Sequence, residues 1–413
     1  MIARMPAARR IYLDNAATTR PLPAVVEAMA KAQLDAFGNP SSRHAFGPPA
    51  RRLLDDAREF LRGAVGAAQL VFTSGGSEAD YLGIVGAAAA RPPGRVLMAQ
   101  TDHPAVLETA ALLMRWRHHA ARLPVTPHGD LDPEQFYSAL GQDVAVVALL
   151  YGHNELGTLC RLDELVALVR RAAPEAHVHV DLVQTFGKLP FDLDAADVDS
   201  VAVSGHKFHG PRGAGFLALS SKAKVEPLQL AGGQEHGLRG GTENVAGAVG
   251  LMVAAEAALS HQAATAAHTA RLCTLVEQAV LLALPGAQRL GHPERRLPHI
   301  LSLRIPGVVG ETLMLRCDDR GVAFSTGSAC HGAHDGAHDG APAPIEKGSA
   351  EKAGKPENHV LAAIGLDRAA AREVVRLSFA CDTAEADAEA AAAILVEEAQ
   401  ALRAQAPRGA ARR

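Results

Sequence analysis

The chain has 413 residues, of which 48% are hydrophobic and 21% charged, with a formal net charge of −4. That is ample apolar material for a large core, and the length suggests two domains. Neither sign of charge dominates, which argues against a nucleic-acid or membrane partner, and no stretch of eighteen apolar residues free of charge is present to form a membrane-spanning helix. The N-terminus, MIARMPAARR, is basic without an apolar core, so no secretory signal is expected. Five cysteines (Cys160, Cys273, Cys317, Cys330 and Cys381) are scattered, odd in number and never spaced as CxxC. This argues against a disulfide framework or a structural zinc site, and a reducing cytoplasm fits best.

From about residue 70 to 260, short aliphatic runs alternate with Ala/Leu-rich helical stretches. The first candidate strand, Leu70–Thr73, runs into the small-residue turn S-G-G-S, and a helix opens near Gly76. Backbone amides at such a turn can approach an anion, so Gly76 and Ser77 are candidate phosphate contacts. A plain strand-turn-helix capped by Ser74 or Ser77 reads equally well. Candidate strands Arg95–Ala99, Arg122–Thr126 and Val144–Leu150 follow. His177–Asp181 ends on a carboxylate, with Gln184 just beyond. Asp181 there suits a protonated pyridine nitrogen, as carbanion chemistry on pyridoxal 5'-phosphate (PLP) requires, or a cap on the next turn. Ser200–Ser204 runs into Ser204-Gly205-His206-Lys207, an unusual setting for a structural lysine and a natural one for an imine-forming amine. Ser204 and His206 are placed to donate to a phosphate. Gly215–Leu219 closes the series. Several of these runs are continuously apolar, the pattern of strands covered on both faces, so an α/β domain with a mostly parallel sheet is expected. Ligands then sit outside the carboxyl ends of the strands.

After residue 260 the pattern changes to long helices, candidate strands at His299–Ile305, Val322–Ser325 and Val374–Phe379, and a last helix over about Thr383–Ala404. This reads as a smaller α+β domain. Between Cys330 and His359 lies HGAHDGAHDGAPAPIEKGSAEKAGKPEN, without strand or helix periodicity. Its His331, His334 and His338 beside Asp335 and Asp339 are competent metal ligands, but ordering a Gly/Ala-rich loop costs roughly 1–2 kcal/mol per residue. The expectation is a solvated loop and no metal site.

The motifs, taken together, resemble the class V aminotransferase family, and within it the group I cysteine desulfurases. The resemblance spans nearly the whole chain: IYLDNAATTRPLPAVVEAM, FGNPSSRHAFG, TSGGSEAD, TDHPAVLET, HNELGTLCRLDEL, HVDLVQTFGKLPFDL, SGHKFHGPRGAGFL, GGQEHGLRGGTENV, FSTGSAC, HVLAAIGL and VRLSF. It implies the PLP fold type I architecture, with a seven-stranded mostly parallel sheet, and a homodimer. It implies an N-terminal segment over 1–20 that packs with the small domain, a PLP-binding domain over 21–260 and a small domain over 261–413. The small domain would carry a catalytic loop at about 326–358. Carried over by motif, Lys207 would hold PLP covalently, Asp181 would pair with the pyridine nitrogen and Gln184 would contact the ring hydroxyl. His103 would stack on the ring and serve in proton transfer. Gly76, Ser77, Ser204 and His206 would hold the phosphate, with Thr242 reaching it from the other subunit. Asn154 and Arg376 would bind the substrate carboxylate. Cys330 would take the sulfur of L-cysteine as a persulfide, leaving L-alanine, and pass it to an acceptor protein. The other four cysteines read as packing residues.

The chain departs from the family pattern at Tyr81, His153, Ala231, His236 and Ala380, and the stretch after Cys330 is longer than usual. Two other functions compete: a selenocysteine lyase or related β-eliminating enzyme, which GSACH also resembles, and a non-catalytic PLP-binding scaffold in a sulfur-transfer assembly. Relative turnover of selenocysteine and cysteine separates the first, while the presence of Lys207, Asp181 and Cys330 speaks against the second.

Overall fold

The computed structural model describes residues 10–229, 232–326 and 358–405. Along the chain the strands are β1 (Ile11–Tyr12), β2 (Gln69–Thr73), β3 (Arg95–Ala99), β4 (His119–Leu123), β5 (Val144–Leu150), β6 (His177–Asp181), β7 (Ser200–Ser204) and β8 (Gly215–Leu219). They continue with β9 (Gln288–Arg289), β10 (Ile300–Arg304), β11 (Val322–Ala323), β12 (Ser325–Thr326) and β13 (Val374–Ser378). Seven form one sheet in the order β2-β8-β7-β6-β5-β3-β4. All run parallel except β8, which opposes both its neighbours. Strands β6, β7 and β8 are buried at every position, as expected where helices cover both faces of the sheet. On one face, the helix Leu162–Ala172 buries Leu162, Leu165, Val166 and Val169 at helical spacing. On the other, Ile84, Val85, Ala87 and Ala88 pack on Val96 and Met98 of β3. Gly83 permits this close packing, since a Cβ there would stand 2.4 Å from His179 Nδ1.

The observed α/β sheet is the expected one, with one strand displaced. β4 occupies His119–Leu123 rather than Arg122–Thr126. It is an edge strand, paired only with β3 and half exposed. Its pairing therefore outweighs the β-branched Val125-Thr126 pair that marked the later segment.

A second, antiparallel sheet has the order β12-β13-β10-β9. Its core joins Leu272, Val276 and Val280 of the helix Gln262–Ala283 to Leu395 and Ala399 of the helix Glu385–Gln405. The N-terminal segment belongs to this core. β1 pairs with β11, Leu13 is fully buried there, and Ser378 N donates to Leu13 O at 2.7 Å. Among the described residues no helix is long and apolar enough to cross a membrane.

Candidate active site

Because β2, β3, β5, β6 and β7 run in one direction, their carboxyl ends share one edge of the sheet. Thr73, Ala99, Leu150, Asp181 and Ser204 all end there. The N-terminal segment crosses this edge and gathers the site. Lys207 Nζ donates to Ala16 O at 2.7 Å and to Ala17 O at 2.8 Å. Gln184 Nε2 donates to the same Ala16 O at 2.9 Å. His206 Nδ1 meets Thr18 Oγ1 at 3.1 Å, and Thr19 N donates to His206 O at 2.8 Å. Lys207 is further fixed from behind, where Lys188 Nζ donates to its carbonyl at 2.9 Å. Burial pulls the Lys188 amine down to about 7, with the nearby Lys207 charge adding to it.

Asp181 is buried, and one of its oxygens accepts from Val183 N at 2.8 Å. Burial, reinforced by Asp80, pushes its carboxyl up to about 8. A cation beside it would reverse this and hold it ionised. Behind Asp181 runs a buried polar chain. Asp80 contacts His179 Nε2 at 3.1 Å, and Ser200 Oγ bridges His179 Nδ1 at 2.8 Å and His177 Nε2 at 2.7 Å. Burial holds the His179 imidazole down at about 4, so it is neutral near pH 7.

His103 follows β3 and caps a short helix, accepting from Ala105 N at Nδ1 (3.1 Å). The ring proton is thereby assigned to Nε2. Burial, helped by the charge of Lys207 and by His359, lowers His103 to about 4. Arg376, on β13, is buried among polar partners. Its Nη2 donates to Asp14 Oδ1 at 2.8 Å and its Nη1 to Asn154 O at 3.0 Å, while its buried Nε has no partner. Asn154 therefore meets Arg376 through its backbone. Ser325, in β12, is paired with Arg376. At the far end of the 327–357 segment, Asn358 donates to Glu155 Oε2 at 2.6 Å and His359 Nε2 meets Asp102 O at 3.1 Å. Cys330 lies outside the described residues, as do His331, His334, Asp335, His338 and Asp339.

Gly76 opens the helix after β2 and is buried against Val183, whose Cγ2 would stand 2.6 Å from a Cβ at Gly76. Ser204 is buried at the end of β7, Ser77 is exposed on the first turn of the helix, and Thr242 is exposed before the helix Val245–Ser260. Within the described chain Thr242 reaches none of the other expected site residues through a hydrogen bond. The residues fit PLP. A primary amine, a buried carboxylate, a helix start and small-residue turn, and a buried Gln184 Oε1 lacking any partner converge on one edge.

Several site residues escaped the sequence reading. Asp14, Ala16, Ala17 and Thr18 carry the contacts just described, and the polar run D-N-A-A-T-T after an apolar strand was their only local signal. His179 and Asp80 were also missed, although two histidines in the otherwise apolar strand β6 were visible. The departures have physical accounts at two positions. His153 accepts from Glu155 N and Leu156 N at Nδ1 (3.0 and 3.3 Å) and donates from Nε2 to Thr101 O (3.1 Å). A ring nitrogen thus holds a turn that an asparagine oxygen could also hold. Tyr81 packs against the apolar cluster around Ile84. His236 is exposed with φ 58°, next to Glu235 at φ 49°. Ala380 is buried, and Ala231 lies outside the described residues. The packing expectation holds for Cys273 and Cys317, which are buried, while Cys160 is partly buried. It fails for Cys381, which is exposed because β13 has already ended and the chain turns toward the last helix.

A mostly parallel seven-stranded sheet, a smaller antiparallel sheet and a lysine-carboxylate site at the strand ends define the PLP fold type I architecture. The class V aminotransferase model matches residues 11–390. The chain is 35% identical over 400 residues to a cysteine desulfurase of Trichormus azollae, covering 96% of this chain and 94% of the relative. It is 36% identical over 381 residues to the cysteine desulfurase NifS of Azotobacter vinelandii, covering 91% and 89%. Among solved structures, a NifS-like protein superposes with a TM-score of 0.83 at 30% identity, covering 94% of this chain and 98% of that one. The chain belongs to the class V aminotransferases, a PLP-dependent family, and within them to the cysteine desulfurases.

Proposed function

We propose that this chain removes the sulfur from L-cysteine, yielding L-alanine and a persulfide on Cys330, with PLP held at Lys207. The observation that carries the reading is the convergence of Lys207 and Gln184 on one N-terminal carbonyl, two residues after the aspartate that orients Arg376. When bound, the cofactor supplies an electron sink for the charge left by loss of the α-proton. Asp181 would pair with the ring nitrogen and favour its protonated form. Gly76, Ser77, Ser204 and His206 would hold the phosphate, with Thr242 contributed by a second copy in a homodimer.

Arg376 binds the substrate carboxylate. Its guanidinium is already fixed by Asp14 and Asn154 O, so little rotamer freedom is lost on binding, and its unpartnered Nε–H faces no competing acceptor. His103 presents an Nε2–H donor, which leaves Lys207 as the base for the α-proton. The Cys330 thiolate then attacks the substrate sulfur. A sulfur–sulfur bond forms as the carbon–sulfur bond breaks, and the carbon is reprotonated to alanine. Cys330 lies four residues beyond Thr326, a span of at most about 14 Å, and the preceding Ser325 is paired with Arg376. The sequence division at 1–20, 21–260 and 261–413 suits this arrangement, with the sulfur-bearing segment on the small unit. A cytoplasmic location and a separate sulfur-acceptor protein complete the proposal. Purified protein given L-cysteine and a reductant should release alanine and sulfide in equal amounts. Alanine formed no faster than without the protein would refute the reading.

A further inference from the structure

A cavity of about 470 Å³ lies beside Lys207, between the N-terminal segment, the helices Val245–Ser260 and Gln262–Ala283, and the turn after β13. His209 and Cys381 line it. One ring nitrogen of His209, the Sγ of Cys381 and a carboxylate oxygen of Asp382 all lie within 4.8 Å of one another. The His209 ring is oriented from behind by the contact of its Nδ1 with Arg20 O at 2.9 Å. That contact places the proton on Nδ1 and turns the Nε2 lone pair toward Cys381 Sγ, 3.5 Å away. A carbonyl accepting the outer N–H is the usual support for a metal-bound histidine. The spacing also agrees with coordination. With zinc–nitrogen and zinc–sulfur bonds of about 2.0–2.1 and 2.3 Å at a tetrahedral angle, nitrogen and sulfur stand roughly 3.6 Å apart.

We propose that His209, Cys381 and Asp382 form a three-ligand site for a zinc-class divalent cation at this cavity. Nitrogen, thiolate and carboxylate donors suit zinc, and cobalt can substitute for it. Three protein ligands leave a fourth position for water or an exogenous thiolate. The site shares its cavity with Lys207 but uses none of the residues assigned to the cofactor or substrate, so it stands apart from the desulfurase reading.

The test is a cobalt(II) titration of reduced, demetallated holoenzyme, read as a difference spectrum. One equivalent per chain should produce a thiolate-to-cobalt charge-transfer band that zinc displaces. The band should be lost in Cys381→Ser, weakened in Asp382→Asn and retained in Cys330→Ser. Cys381 and Asp382 are exposed, so these variants test ligation with little demand on the core. A band that survives in Cys381→Ser, one that disappears in Cys330→Ser, or no stoichiometric uptake would overturn the proposal.

Discussion

Replacing Arg376 by Ala separates substrate binding from cofactor binding. The Arg376 side chain is 6% exposed and its partner Asp14 22%. The substitution removes the proposed carboxylate anchor, the 2.8 Å bond to Asp14 and the 3.0 Å bond to Asn154 O. A hydrogen bond to a charged group contributes about 1.5–3 kcal/mol, so kcat/KM for L-cysteine should fall roughly ten- to a hundred-fold or more. The absorbance of bound PLP should stay, because Lys207, Asp181 and Gln184 are held by other contacts. Leaving Asp14 without its cation should also lower stability, by about 1–3 kcal/mol given its partial exposure. Arg376→Lys should recover part of the stability and little of the activity, since an ammonium cannot reproduce the two-pronged geometry. Steady-state kinetics, the PLP spectrum and thermal melts on the same preparations read all three effects. An unchanged kcat/KM in Arg376→Ala would refute the anchoring role, and loss of PLP in proportion to activity would make Arg376 a scaffold residue instead.

Lys207→Ala should abolish the yellow colour and its bleaching by borohydride, and an unaltered spectrum would disprove the attachment. After turnover, mass spectrometry should find added sulfur on Cys330 and none on Cys317 or Cys381; sulfur on either of the latter would reassign the acceptor. His153 is pushed by burial from its ordinary 6.5 to about 3, so between those values the unfolded chain binds a proton that the folded chain refuses. Its contribution is therefore lost as pH falls from about 6.5 toward 3, and the stability of His153→Asn relative to the parent should improve over that range. Equal pH slopes in thermal melts would count against this. Leu13→Ala should destabilise the protein by about 2–5 kcal/mol, because Leu13 is wholly buried in the second core. A change below a few tenths would mean the N-terminal segment docks only weakly.

The strands of the main sheet were legible because strands covered on both faces are mostly apolar: β5 and β8 carry that pattern without interruption, and β6 and β7 break it only at His177, His179 and Asp181 and at the flanking Ser200 and Ser204. The edge strand β4 was misplaced because none of its residues is buried, which removes the demand for apolar residues. Lys207, Asp181 and Gln184 were legible because each polar residue stands directly beyond an apolar run, where only a site or a cap accounts for it. By itself the sequence determined the sheet apart from its edge strand β4, and the strand-end edge at which the proposed site residues gather. Tertiary structure alone decided what those residues touch. Asp14 and Arg376 are 362 positions apart yet form one ion pair, and Ala16, Lys207 and Gln184 meet through a backbone carbonyl that no side-chain pattern records. The same holds for His209 and Cys381, separated by 172 positions and brought together at one cavity. Hydrophobic periodicity reports which face of an element is buried, but not which distant element covers it. Contacts between distant segments are fixed only when the two cores pack with the N-terminal segment between them.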